Sequence, residues 1–159
     1  MGAGKSTVGR ALASELNAPF YDSDAEIETR AGADISWIFE IEGEDGFRER
    51  EHRVIAALCA EPPGVIATGG GAVIAEANRI LMVESGFVVY LEATIKEQVL
   101  RTGKEGARPL LANKNRQEVL TELMAVRAPL YQGVAHLVLP TAGRNARGLA
   151  QAIVGALPD

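Results

Sequence analysis

The chain has a single cysteine, Cys59, among its 159 residues, so no intrachain disulfide can form and the cytoplasm is the default compartment. Its only histidines, His52 and His136, lie far apart with no cysteine or second histidine at ligand spacing, which argues against a histidine metal site. No stretch approaches the roughly 20 apolar residues that a membrane-spanning helix needs, and the N-terminus shows no apolar signal region. A basic excess is missing too. The formal net charge of −5 and a pI near 5.1 argue against a protein that tracks nucleic-acid phosphates. Internal repeats and low-complexity segments are also lacking. What remains is an ordinary globular composition, 47% hydrophobic and 23% charged. A chain of this size buries roughly 70% of its unfolded surface in one core, which predicts a single domain over 1–159.

Periodicity predicts alternating strands and helices. Val8, Leu12 and Leu16 recur at helical spacing from Lys5 onward, directly after a glycine-rich start. Pro19 to Tyr21 reads as a strand running into Asp22-Ser23-Asp24, followed by a helix over 25–30 that ends before Gly32. Trp37, Ile38 and Ile41 mark a helix over 35–41, and Phe47, Val54, Ile55 and Leu58 mark a longer one over 44–60. Val65 to Thr68 is a continuous run of the buried parallel kind, broken by Gly69-Gly70-Gly71. Further helices are expected over 75–84, 95–101, 117–126 and 146–157, with strands at 87–91 and 137–139. The polar, glycine-bearing stretch 103–115 reads as a mobile lid. This order predicts an α/β fold, a parallel sheet covered on both faces with ligands at the carboxyl ends of its strands.

The candidate motifs fall at such ends. Gly2-Ala3-Gly4-Lys5-Ser6-Thr7 matches the second half of a P-loop. Unhindered backbone N–H groups there can wrap a phosphate chain, Lys5 can reach its terminal phosphates, and the Ser6 hydroxyl can bind Mg²⁺. The full pattern calls for another glycine five residues before Gly4 and for a strand feeding the loop. Neither is in the chain, which predicts about ten further residues in the natural product to supply them. Asp22 and Asp24, two apart at a strand end, are expected to point the same way about 7 Å apart, one toward a metal and one toward a substrate. Arg48 stands three residues before Glu51, which can orient its guanidinium as a fork for a carboxylate. The glycine triplet lets a ligand approach the backbone, and Arg108 can fold over phosphates when the lid closes. Trp37, Phe39 and Tyr90 are expected in the core or the pocket wall.

Taken in order, GAGKST at Gly2 to Thr7, DSD at Asp22 to Asp24, FRERE at Phe47 to Glu51, TGGG at Thr68 to Gly71, RPLL at Arg108 to Leu111 and RAPLY at Arg127 to Tyr131 resemble the shikimate kinase family from end to end. The resemblance implies a three-layer P-loop kinase fold with five parallel strands in the order 2-3-1-4-5, the first of them absent from this sequence. It implies a partial P-loop over 1–7, an acceptor-binding helical segment over 24–60 and the lid over 103–115. Lys5, Asp24 and Arg108 would be catalytic. ATP would be held by Gly2, Ala3, Gly4, Lys5, Ser6 and Thr7, with Arg101, Arg108 and Arg144 toward its adenine and phosphates. Ser6 and Asp22 would hold Mg²⁺, while Asp24, Arg48, Gly70, Gly71 and Arg127 would hold shikimate. The implied activity is ATP-dependent phosphorylation of the shikimate 3-hydroxyl in aromatic amino-acid biosynthesis, by a cytoplasmic monomer with no nucleic-acid or membrane partner. Two readings compete with it: another small-molecule kinase on this scaffold, such as one acting on gluconate, and a nucleotide-binding module without catalysis.

Overall fold

The computed structural model describes residues 2–103 and 115–159. Helix α1 (Lys5–Glu15) starts directly after Gly4, which sits in the left-handed region at φ 83°. Strand β1 (Phe20–Asp22) leads straight into α2 (Ser23–Ala31), then α3 (Ile35–Cys59), β2 (Val65–Ala67), a 3₁₀ turn at Ala72–Ile74 and α4 (Glu76–Ser85). The chain continues through β3 (Val89–Glu92), α5 (Ile95–Thr102), α6 (Arg116–Val134), β4 (Leu137–Pro140) and α7 (Ala146–Ala156).

All strand pairing is parallel, but it forms two separate pairs, β1 with β2 and β3 with β4, where sequence reading expected one central sheet. These are the pairs that the order 2-3-1-4-5 leaves when its first strand is taken away. Successive residues of β2 face opposite sides, as the strand period of two requires. Val65 packs against a core of Val8, Leu12, Leu91, Leu149 and Ile153, which joins α1 and α7 to the strands. Ile66 packs against Ile27, Ile38, Phe47, Val54 and Leu58, under α2 and α3. Two helical layers with strands between them are thereby built.

Three expectations change. Asp22 and Asp24 do not share a strand face, because β1 ends at Asp22 and the helix starts at Ser23. Asp22 is the helix N-cap, its Oδ1 accepting from Asp24 N at 3.0 Å and Ala25 N at 3.3 Å. Second, α6 does not stop at Val126 but runs through Pro129 to Val134. That carries Arg127 and Tyr131 onto one helical face, four residues apart. Third, Trp37 is 51% exposed, because its neighbour Ile38 is the residue that this helix turns into the core. Phe39 and Tyr90 do pack, with Phe39 4.7 Å from Phe47 and Tyr90 4.9 Å from Tyr131, ring centre to ring centre.

The break expected between 41 and 44 is a kink inside α3. Gly43 has φ 73° and ψ −179°, a conformation open essentially to glycine alone. Across it, Arg50 donates to both carboxylate oxygens of Glu42, at 2.7 and 2.6 Å. The half after the kink points Phe47, Glu51, Val54, Ile55 and Leu58 inward.

Candidate active site

The residues after β1 and β2 emerge side by side because the strands are in register, Phe20 with Val65 and Asp22 with Ala67. Ser23, fully buried, accepts a hydrogen bond from Gly69 N at 3.1 Å and ties the two exits together. At the head of α1, Ser6 Oγ donates to Asp22 Oδ2 at 2.7 Å, so the hydroxyl opening α1 and the carboxylate closing β1 share one point. They are hard oxygen donors of the kind that suits Mg²⁺, which keeps several waters and uses one or two protein oxygens beside substrate phosphates. Among the described residues no cluster of three or more acidic, histidine or cysteine side chains offers a protein-only metal cage. Lys5 and Ala3 line the same cleft as Thr68, Gly69, Gly70 and Tyr131.

Against the glycine turn stands a charged cluster. Arg48 Nη1 donates to Glu51 Oε2 at 2.8 Å, and its Nη2 reaches Glu44 at 3.3 Å. The guanidinium carbon lies 5.1 Å from the centre of the Phe47 ring. Glu51 is only 1% exposed; burial pushes its carboxyl up from the ordinary range, against the pull of Arg48, with Asp24 and Arg127 also close enough to act on it. A Cβ placed on Gly69 would lie 2.8 Å from Asp24 Oδ1 and 3.0 Å from Glu51 Oε1, so the triplet runs directly over these carboxylates. Arg127 is 3% exposed. Among the described residues, the buried Nε atoms of Arg48 and Arg127 have no hydrogen-bond partner.

Asp24, Arg48, Gly70, Gly71 and Arg127 therefore gather around the glycine turn and Glu51, while Ala3 and Lys5 share a cleft with Gly69 and Gly70, and Thr7 is exposed on the first turn of α1. Arg101 donates from Nη1 to the Gly2 carbonyl at 2.9 Å and sits near Thr141. Arg144 is exposed in the turn between β4 and α7, its backbone N–H bonded to Thr141 O. Arg108 and most of the expected lid, 104–114, lie outside the described residues.

The family described as shikimate kinase matches residues 1–158. The chain belongs to the shikimate kinase family. A shikimate kinase of Pseudomonas fluorescens is 55% identical over 147 residues, 92% of this chain and 86% of that relative. One from Haemophilus influenzae is 51% identical over 155 residues, 97% of this chain and 86% of the relative. The solved shikimate kinase of Acinetobacter baumannii in complex with shikimate superposes with a TM-score of 0.94 at 48% identity, covering 97% of this chain and 86% of that one. The fold is thus that of the shikimate kinases, a P-loop kinase fold of parallel strands between helices.

Several residues at the shikimate kinase cleft carried no individual role in sequence reading. Ser23 lay hidden between two aspartates. Asn78, fully buried on α4, donates to Ala72 O at 3.0 Å and meets His52 Nδ1 at 2.6 Å, so it holds the turn after the glycines. Its signal was weak: one amide in an otherwise unremarked helix. Tyr131, read only as part of a motif, donates to the Gly70 carbonyl at 2.5 Å.

Proposed function

We propose that the chain transfers the terminal phosphoryl group of ATP to the 3-hydroxyl of shikimate, giving shikimate 3-phosphate and ADP. The observation that carries this reading is the glycine turn: Gly69 and Gly70 line one cleft with Lys5, and the same turn lies against Asp24 and the Arg48 guanidinium, with the buried Arg127 close to Glu51. Shikimate offers a carboxylate for Arg48 and Arg127 and hydroxyls for Asp24 and the amides of Gly70 and Gly71. Phosphoryl transfer asks mainly for alignment and charge neutralisation. Asp24 orients the acceptor hydroxyl and takes its proton as the oxygen bonds to the γ-phosphorus and the bond to the β-phosphate oxygen breaks. Lys5 and the loop amides hold the phosphates, and Arg108, outside the described residues, would add its charge to theirs. Ser6 and Asp22 would hold Mg²⁺, which offsets charge on the phosphate oxygens. Arg101 and Arg144 flank the adenine. In this reading the protein acts as a monomer in the cytoplasm, and no described helix is long and apolar enough to cross a membrane.

A coupled assay of ADP release with shikimate and, separately, gluconate tests the proposal. Turnover is expected with shikimate alone. Turnover on gluconate at equal or greater kcat/KM, or ATP binding with no turnover on either acceptor, would sink it.

A further inference from the structure

The three glycines differ in how their backbone groups are engaged. Gly69 O accepts from Ala72 N and Gly71 O from Ile74 N, both at 3.1 Å, which are bonds internal to the turn. Gly70 O instead accepts from a side chain 61 positions away, the Tyr131 hydroxyl at 2.5 Å. Of the amides, Gly69 N donates to Ser23. Among the described residues, the N–H groups of Gly70 and Gly71 meet no protein acceptor. The turn therefore has its carbonyls tied down and two donors left over.

The peptide joining Gly70 and Gly71 is trans, as no cis bond occurs among the described residues, so its C=O and N–H point in opposite directions. With a glycine on each side, that peptide has little steric resistance to turning over. Nothing within the turn fixes it, because its carbonyl bond comes from α6. Tyr131 is itself well held. It stands one helical turn after the buried Arg127 and packs on Tyr90 at 4.9 Å. Burial pushes its hydroxyl above the ordinary tyrosine range, tempered by Arg127 beside it, so it remains a proton donor at neutral pH.

We infer that Tyr131 is a positioning residue for the acceptor: by anchoring the Gly70 carbonyl toward α6, it turns the Gly71 N–H away from itself and presents it as a donor to shikimate. This rests on the acceptor reading above. The route from Tyr131 to the acceptor is the Gly70–Gly71 peptide plane, beside the hydrogen bond that its hydroxyl shares with Arg127.

The test is Tyr131→Phe, which keeps the ring and removes the oxygen, assayed beside the wild type. The bond to Gly70 and the contact with Arg127 are lost together, so the shikimate KM is expected to rise roughly fivefold or more, and the Gly71 amide resonance separates the part of the peptide from that of Arg127. The KM for ATP should stay within about twofold and kcat within about threefold. A merely structural role would move both Michaelis constants and kcat together, and that result, or an unchanged shikimate KM, overturns the inference. Absence of shikimate turnover in the wild type would instead defeat the functional reading. A second measurement needs no variant. The Gly71 amide proton of the wild type, followed by NMR, should shift on saturation with shikimate, and an unmoved resonance overturns the inference whether or not Tyr131→Phe folds.

Discussion

Gly71→Ala isolates the placement of Arg48 from everything else at the site. Gly71 has φ −90° and ψ −1°, which alanine adopts without strain, so the backbone need not change. The added Cβ, however, would lie 2.3 Å from Arg48 Nη2, 2.5 Å from Nη1 and 2.6 Å from Cζ. Ordinary contact needs about 3.5 Å, so the guanidinium must retreat by about 1 Å. The same movement stretches its 2.8 Å bond to Glu51 beyond hydrogen-bond range. A charge-assisted contact is worth about 1.5–3 kcal/mol, which converts to a rise of about 10- to 150-fold in the shikimate KM if Arg48 no longer meets the carboxylate. Loss of the bond to Glu51 is expected to lower the melting temperature as well, by about 2–4 °C per kcal/mol in a chain of this size. Steady-state kinetics with shikimate varied at saturating ATP, alongside a thermal melt, provide the readout. Gly86→Ala is the control: Gly86 is extended, at φ −177°, and has open space where its Cβ would be. A shikimate KM within twofold of wild type for Gly71→Ala would refute the placement of Arg48 against the acceptor.

Lys5→Ala is expected to lower kcat by about a hundredfold or more with a smaller change in the shikimate KM, since the charge it supplies matters most during transfer; equal kcat would refute its role. Arg127→Ala should chiefly raise the shikimate KM, by an order of magnitude or more, and an unchanged value would remove Arg127 from the acceptor site. Glu51→Gln tests the buried carboxylate through pH. A folded-state pKa raised above the unfolded value gives stability that is present below the ordinary carboxylate range and lost as pH rises through the folded value. Glutamine does not ionise, so the variant should gain on the wild type in melts taken from about pH 4 to about pH 8. The opposite trend would mean that Arg48 outweighs burial at Glu51. The same variant should bind shikimate less well, because Arg48 loses its charged partner.

What could be read from the residues followed local rules, and what could not depended on distant contacts. The glycine-rich start and helical spacing placed Lys5 and Ser6 at the head of α1, and the gap around Gly43 showed as a missing beat between two apolar stripes. Pro129 reads locally as a helix breaker, yet α6 continues through it, since one missing backbone donor matters less than burial on the face that carries Leu120 and Arg127. Strand alternation misled at Asp22 and Asp24 because Asp22 is itself the helix N-cap, so Asp24 lies in the first turn of α2 and not on a strand. The bonds from Ser23 to Gly69 and from Tyr131 to Gly70 span 46 and 61 positions, and no spacing rule along the chain announces them.

The short parallel pairing of Phe20 with Val65 through Asp22 with Ala67 makes chain length, more than side-chain identity, the quantity that the cleft depends on. Exchanging Tyr21 or Ile66 for another apolar residue alters packing under α3 but leaves both exits level. Inserting one residue in either strand offsets the exits by about 3.3 Å and turns the following side chains to the opposite face. A ruler only three rungs long would then have set the carboxylate of Asp24 and the amide of Gly70 at different heights.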